Sequence, residues 1–468
     1  MMPLIFCTIL VALLLYVERR HNPDASLALW LPTVSMLICA SRPLGLWFGT
    51  GASTEDVEAG SAIDRVVISS VILGALFVLY KRKVDWHGLL RDNFWLILIF
   101  VYMGVSVSWS EIPYASFKRW YRSTGEIALA LVVLSEQKPL DALESIFRRS
   151  VYVLIPFSLI LVNYFPRIGR EYTPWGGKEF WTGVTTTKNS LGELCAVSAF
   201  FLIWAFFRKR PDGSLPDNRL RAADALILAV TLFLLAGPGS YSATSIATLL
   251  VGLVIMFPLG RRESLALSVG KHLKTLAISV TVVYYFCYNF AVQVGASVFS
   301  RDQTLTGRTD LWRPFLEYAS QNPIMGVGYG GFYAPGNAEL EAITPRFIIA
   351  MCHNGYIAVY LELGVIGLAL LGLFLLAYCG KMRRELDDVL EWGVFGICIL
   401  PMALLHNNAE IGFLQTPNLL WSVMVFVMVV FSKSRQEPAS LQEDDLAYPD
   451  GDVPPFLLED ESPGSESP

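Results

Sequence analysis

Charge is scarce in this chain. Of its 468 residues only 16% are Asp, Glu, Lys or Arg, against about 25% in ordinary soluble domains, and the mean hydropathy is +0.48. That excludes a soluble enzyme with a fully solvated surface. The apolar runs are long and continuous rather than alternating, which excludes a transmembrane β-barrel. Paired cysteine is missing as well. Cys7, Cys39, Cys195, Cys287, Cys352, Cys379 and Cys398 show no CxxC spacing, so neither a zinc site nor a disulfide framework is indicated. They read as small apolar residues. No basic run exceeds three residues, so nothing points to nucleic acid. Basic residues are absent beyond Arg435, where ten Asp and Glu accumulate in a Pro- and Ser-rich tail that is expected to be disordered. The net charge of −5 therefore belongs to the tail.

What is present is a series of apolar runs. They cover 3–16, 27–48, 66–80, 94–107, 127–134, 151–164, 191–207, 223–236, 243–259, 273–292, 356–379, 392–405 and 419–431. The fold class is all-α: a polytopic integral membrane protein with about 12–13 transmembrane helices and one large polar loop. The first run is short, but it has no basic n-region and no small-residue cleavage site, so it reads as a span and not as a signal peptide. The run at 127–134 is shorter still. Alternating the spans places Lys81–Lys83, Arg148–Arg149, Arg208–Arg210, Arg261–Arg262, Lys381–Arg384 and the tail on one side. That side holds most of the Lys and Arg and is read as cytoplasmic. Four stretches follow. Residues 1–293 carry N-terminal spans with outer loops at 108–123 and 165–189. Residues 294–355 form the large outer loop. Residues 356–432 carry the C-terminal spans, and 433–468 are the acidic tail. The 406–416 loop falls on the outer face too.

The outer face holds basic residues that the positive-inside rule does not predict, and they cluster in polar loops. Lys118, Arg119 and Arg122 lie in the first, with Arg119 and Arg122 on one helical face. Arg167, Arg170, Lys178 and Lys188 lie in the second; Arg301, Arg308, Arg313 and Arg346 lie in the third. Arginine forks match phosphate oxygens bidentately, so the cluster suits an anionic ligand at the membrane surface. Ion pairing with Glu111 or Asp310, or contact with lipid phosphate, is the plainer reading for any single one. Residues 311–320 have an amphipathic helical pattern with Pro314 in the first turn. The glycines of GVGYGGF (Gly326, Gly328, Gly330, Gly331) follow as a tight turn. They are not a dinucleotide fingerprint, because no strand precedes them. His353 opens an HNG turn just before a span; Glu410 stands in HNNAEIGF at a membrane boundary. A structural hydrogen bond would explain either. General base chemistry would also explain either.

GRTDLW, NPIMGVGYGGF and HNGYIAVYLELGVIG together resemble the O-antigen ligase/polymerase superfamily, which includes WaaL-type ligases, Wzy-type polymerases and exopolysaccharide-polymerase relatives. SRPLGLWFG, SWSEIPYASFKRW, GVTTTKNSLG and SYSATSIATLL add to the likeness, which spans roughly residues 26–432. The resemblance implies a bacterial inner-membrane glycosyltransferase of GT-C-like kind with a large periplasmic loop. Its donor would be a glycan on undecaprenyl diphosphate, its acceptor another glycan, and its medium the bilayer. The family's loop arginine maps onto Arg308 and its loop histidine onto His353. A further basic position maps onto Lys188 or Arg119. With Glu410, Arg308 and His353 form the expected catalytic set. Arg119, Arg122, Lys188, Asn189, Arg301, Asp310 and Asn354 form the expected substrate-binding set. The KN and SRPL segments favour a polymerase over a ligase. A chain-length regulator and a flippase are candidate partners.

The chemistry asks for little else. A glycosyl diphosphate is already activated; cations hold and stabilise the leaving group, and a base takes the acceptor proton. No nucleotide motif and no DxD-type metal motif occurs in the outer loops, so a metal-independent, cofactor-free transfer is expected. A ligase is the alternative. A transporter or flippase would call for ionisable residues at mid-span and repeated halves, neither of which stands out.

Overall fold

A computed structural model describes residues 2–49, 61–82, 84–172, 177, 179–208, 217–237, 239, 242–279, 303–343 and 351–432, with only the backbone described over 303–310. The helices run in chain order as α1 (Met2–His21), α2 (Trp30–Cys39), α3 (Leu44–Trp47), α4 (Ala62–Lys81), α5 (Trp86–Asp92), α6 (Phe94–Ser106), α7 (Pro113–Leu134) and α8 (Pro139–Tyr164). A short α9 (Pro166–Gly169) leads into a hairpin of β1 (Arg170–Tyr172) and β2 (Glu179–Trp181), paired antiparallel with Arg170 opposite Trp181. Then come α10 (Lys188–Phe207), α11 (Asn218–Ala236), α12 (Ala243–Arg261), α13 (263–279), α14 (Gln303–Ala319), α15 (Ala338–Ile343), α16 (Gly355–Asp388), α17 (Leu390–His406) and α18 (Leu419–Val430). Helices predominate because lipid offers the backbone no hydrogen-bond partners, so each span must satisfy its own.

The molecule is a multi-pass membrane protein. Among the described residues, α1, α4, α8, α10, α12 and α16 are long and apolar enough to cross a bilayer. The pair α5–α6, bent by 85°, makes a seventh if read as one broken span, and residues 27–39, α17 and α18 are shorter apolar helices. The short run at 127–134 belongs to a 22-residue helix: Pro113 starts α7, so most of the expected 108–123 loop is its first three turns. Helix α14 begins at Gln303, well before the expected 311, and carries Pro314 inside it. The acidic tail and residues 280–302, which include the end of the tenth expected span, lie outside the described residues.

Arg148 and Arg149, expected as flanking charges, are instead enclosed in α8 at 2% exposure. Their partners come from α8 itself and from other helices. Arg148 Nε meets Asp224 Oδ1 at 3.2 Å and its Nη1 meets Glu144 Oε1 at 2.8 Å. Tyr152 donates to Asp224 (2.6 Å), Arg208 Nη1 meets Glu144 Oε2 (2.5 Å), and Arg149 Nε meets Glu18 Oε2 (2.7 Å). Helices α1, α8 and α11 and the end of α10 are thereby joined by charges that neutralise one another. Removing any one partner would strand a buried charge.

Helix α16 is broken. At Gly364 the backbone takes φ 64° and ψ −162°, a conformation open essentially to glycine alone. A break inside a span leaves carbonyls and amides without helical partners, and the loop at 323–328 supplies them. Val327 N–H donates to Leu361 O (3.0 Å) and Gly328 N–H to Glu362 O (2.9 Å). In return Val365 N–H donates to Pro323 O (2.9 Å) and Ile366 N–H to Ile324 O (3.2 Å). Tyr102 of α6 donates to Leu363 O and Met325 O, bridging both sides of the seam. A Cβ on Gly364 would lie 2.2 Å from Ile324 O, and one on Gly326 (φ 71°) 2.4 Å from Leu363 N. Gly364→Ala is therefore expected to destabilise the protein by at least about 1–3 kcal/mol, the usual cost of a strained backbone site. Thermal unfolding of the detergent-solubilised protein measures it; a melting curve matching the parent would contradict the seam's role.

Candidate active site

The glycine turn after the seam packs inward. Tyr329 N–H donates to Ser106 Oγ at the end of α6 (3.0 Å). The Tyr329 hydroxyl donates to Leu414 O (2.6 Å) and lies 2.9 Å from Ser123 Oγ of α7. Arg119 of α7 donates to Gly330 O (2.7 Å) and Tyr333 O (3.0 Å). A Cβ on Gly331 would fall 2.0 Å from Ser110 Oγ. Thus the large loop, the start of α7 and the 407–416 segment meet at one place.

His353 stands where they meet. Its backbone is in the left-handed region (φ 46°), uncommon for a residue with a side chain and typical of constrained sites. Both neighbours are anchored. Cys352 is buried; its carbonyl accepts from Trp312 Nε1 of α14 (2.8 Å), and Tyr333 donates to its Sγ (3.2 Å). Burial pushes the Cys352 thiol up to about 11, so it stays protonated and inert. Asn354 caps α16, its Oδ1 accepting from Tyr356 and Ile357 N–H (3.0 and 3.1 Å). Gly355 N–H donates to Asn407 O (2.8 Å), and a Cβ on Gly355 would lie 2.0 Å from Asn407 Oδ1. That same Oδ1 accepts from Gly412 and Phe413 N–H, which shapes the 407–413 turn.

The turn presents Glu410. Its Oε2 lies 3.1 Å from His353 Nδ1, and its Oε1 accepts from Asn189 Nδ2 of α10 at 2.6 Å. The His353 and Glu410 side chains remain 29% and 19% exposed, open enough to meet a substrate. Three segments far apart in sequence therefore build one Asn–Glu–His chain. A carboxylate on Nδ1 orients the imidazole with Nδ1 protonated, which leaves Nε2 as the basic nitrogen. Nε2 has no hydrogen-bond partner among the described residues.

The expected cations are placed differently from one another. Two donors of Arg119 serve carbonyls of the glycine turn. Arg122, half-buried, engages no described residue in a hydrogen bond or ion pair and lines a cavity with Glu126, Thr416, Ile38, Cys39 and Ile72. Glu126 is buried and accepts from Ser422 Oγ (2.9 Å). Lys188 places its Nζ 4.5 Å over the Phe180 ring, beside Asn189. Arg308 and Asp310 fall on the part of α14 described as backbone only; Arg301, Lys178 and Arg346 lie outside the described residues. Among the described residues no three His, Cys, Asp or Glu side chains assemble into a metal site.

Sequence reasoning passed over Asn407 and Glu362. Glu362 is 1% exposed beside the break, with Gln415 Nε2 donating to its Oε2 (3.2 Å). The available signal was an ionisable residue in the apolar run VYLELGVIG.

Two comparisons bear on this arrangement. A family model described as Wzy_C, O-antigen ligase, matches residues 226–372. The exopolysaccharide production protein ExoQ of Rhizobium meliloti is 28% identical over 318 residues, covering 65% of this chain and 69% of that protein. These matches support the O-antigen ligase/polymerase family. The family segment contains the glycine turn, the first part of α16 with its break at Gly364, Arg308 and His353; Glu410 and Asn189 lie outside it.

Because Asn354 caps α16, Asn354→Ala should cost about 1 kcal/mol of stability, whereas Asn354→Ser, another good cap, should retain most of it. Thermal unfolding of both variants alongside the parent reads the difference.

Proposed function

We propose that the protein is a glycosyltransferase that polymerises undecaprenyl-diphosphate-linked oligosaccharide repeat units at the periplasmic face of the bacterial inner membrane. The observation that carries this reading is the His353–Glu410–Asn189 chain, built where the large loop meets the ends of three helices. In the reaction an acceptor sugar hydroxyl attacks the anomeric carbon of the donor. The carbon–oxygen bond to the diphosphate breaks, the lipid diphosphate leaves with the electron pair, and the hydroxyl proton passes to His353 Nε2. Glu410 stabilises the imidazolium so formed, and Asn189 holds Glu410. Arg308 is the principal partner of the leaving diphosphate, with Arg301, Arg122 and Lys188 as further cations. Asp310 and Asn354 contribute polar groups at the same loop, and Arg119 acts mainly by holding the glycine turn. The cations take the charge-stabilising role that a metal would otherwise fill. The division into 1–293, 294–355, 356–432 and a cytoplasmic acidic tail goes with this orientation. A chain-length regulator and a flippase are its expected neighbours.

A ligase reading is favoured by the description of the matching family model. The name of the relative, an exopolysaccharide production protein, favours polymerisation. Lipid-linked glycans in a deletion strain separate the two. Loss of a polymerase leaves single repeat units exported and attached; loss of a ligase leaves long polymer on the carrier. In the complemented strain Arg308→Ala is expected to abolish polymer while the protein remains inserted, and Glu410→Gln to slow chain growth by roughly 10²–10⁴, the usual worth of a positioned acid–base group. Normal polymer on a gel from Arg308→Ala would remove the reading of that arginine.

A further inference from the structure

We propose that His406 and Glu193 are a positioning pair for this reaction: a second rung, one helical turn from the Asn189–Glu410 contact, that sets the register of that contact. The inference rests on the reading of His353 as the base and Glu410 as its partner.

Two pairs of residues, each one turn apart, face each other. Asn189 and Glu193 are four apart on α10 and so share a face. Residues 406–410 form a single turn closed by Glu410 N–H donating to His406 O (3.0 Å), so His406 and Glu410 are also one turn apart. The first rung is Asn189 Nδ2 to Glu410 Oε1 at 2.6 Å. The second is His406 Nε2 to Glu193 Oε2 at 3.7 Å. Glu193 is fixed from the far side. Its Oε1 accepts from Leu420 N–H (3.1 Å), and its Oε2 lies 3.5 Å from Asn418 Nδ2. Asn418 itself caps α18 by accepting from Trp421 N–H (2.9 Å). A carboxylate at a helix N-terminus is well placed electrostatically. The second rung thereby ties α10 to the ends of both α17 and α18.

His406 is not a comfortable core residue. It is 2% exposed, its Nδ1 has no hydrogen-bond partner among the described residues, and its contact with Glu193 is longer than a hydrogen bond. An apolar side chain there would pack without that cost. A buried imidazole held at ion-pair distance from a carboxylate makes sense if it fixes a distance that matters elsewhere. Neither residue forms a hydrogen bond or ion pair with His353, so both act through Glu410. If α10 slips against the 406–410 turn, the Asn189 amide leaves the carboxylate, and His353 loses its orientation.

The test uses the full chain in liposomes with lipid-linked repeat units as substrate. Glu193→Gln, close to isosteric, is expected to lower kcat roughly 10- to 100-fold, the scale of a small misplacement of catalytic groups, with KM held. His406→Gln is expected to do the same, and stands in if Glu193→Gln fails to accumulate in the membrane. In a Glu410→Gln background, adding either change should alter the rate by no more than about twofold, because the route through Glu410 is already lost. Losses that multiply in that background, or a loss confined to KM, would show a merely structural or binding role and overturn the proposal. A wild-type rate in Glu410→Gln alone would instead remove the base assignment, and the pair's role with it.

Discussion

Four backbone hydrogen bonds across the break in α16 hold the site together. A span that opens in the membrane must find new partners for the groups it frees. Here the partners come from the loop that precedes the helix, through Val327, Gly328, Pro323 and Ile324. The loop therefore cannot shift without exposing the span's backbone, and the span cannot straighten without expelling the loop. His353 is attached at the start of that helix. The glycine turn is attached at the other end of the seam, and through Tyr329 it reaches the segment that carries Glu410. The geometry of the Asn–Glu–His chain thus follows from a constraint the bilayer imposes on the backbone.

Much of this was legible in the chain and some was not, for physical reasons. Polar residues at span ends are conspicuous in a greasy sequence, so His353 and Glu410 stood out. Their pairing did not, because 57 positions separate them and nothing local records the contact. GVGYGGF read correctly as a tight turn. That it inserts against a helix break was hidden, since Gly364 sits in an apolar run like many glycines in membrane spans. Arg119 and Arg122 looked equivalent by spacing, yet one clamps carbonyls and the other engages no described hydrogen-bond partner. Arg148 and Arg149 looked like flanking charges because their partners, Asp224 and Glu18, lie 76 and 131 positions away.

The two ends of the bundle use charge in opposite ways. Near α8's first turns the basic residues are spent on one another's neighbours: Glu18, Glu144 and Asp224 neutralise Arg149, Arg148 and Arg208 in a closed set. At the other end the cations stand apart, Arg119 and Arg122 on α7 and Lys188 at the start of α10, and the Glu410 carboxylate that pairs with His353 is partly open. A closed set suits anchorage, and an open one suits a charged ligand that arrives and leaves. The segment matched by the family model holds only part of the open set. Asn189 and Glu410 come from outside it, so the Asn–Glu–His chain draws on more of the bundle than that segment.

The central claim is that this assembly joins glycans by releasing a lipid diphosphate. Its most direct test is a product balance with the purified protein in liposomes, supplied with lipid-linked repeat units and no nucleotide sugar. The account predicts longer lipid-linked glycan, with one free lipid diphosphate released for each new glycosidic bond. Substrate consumed without that release, or no bond formed until another sugar donor is added, would contradict it.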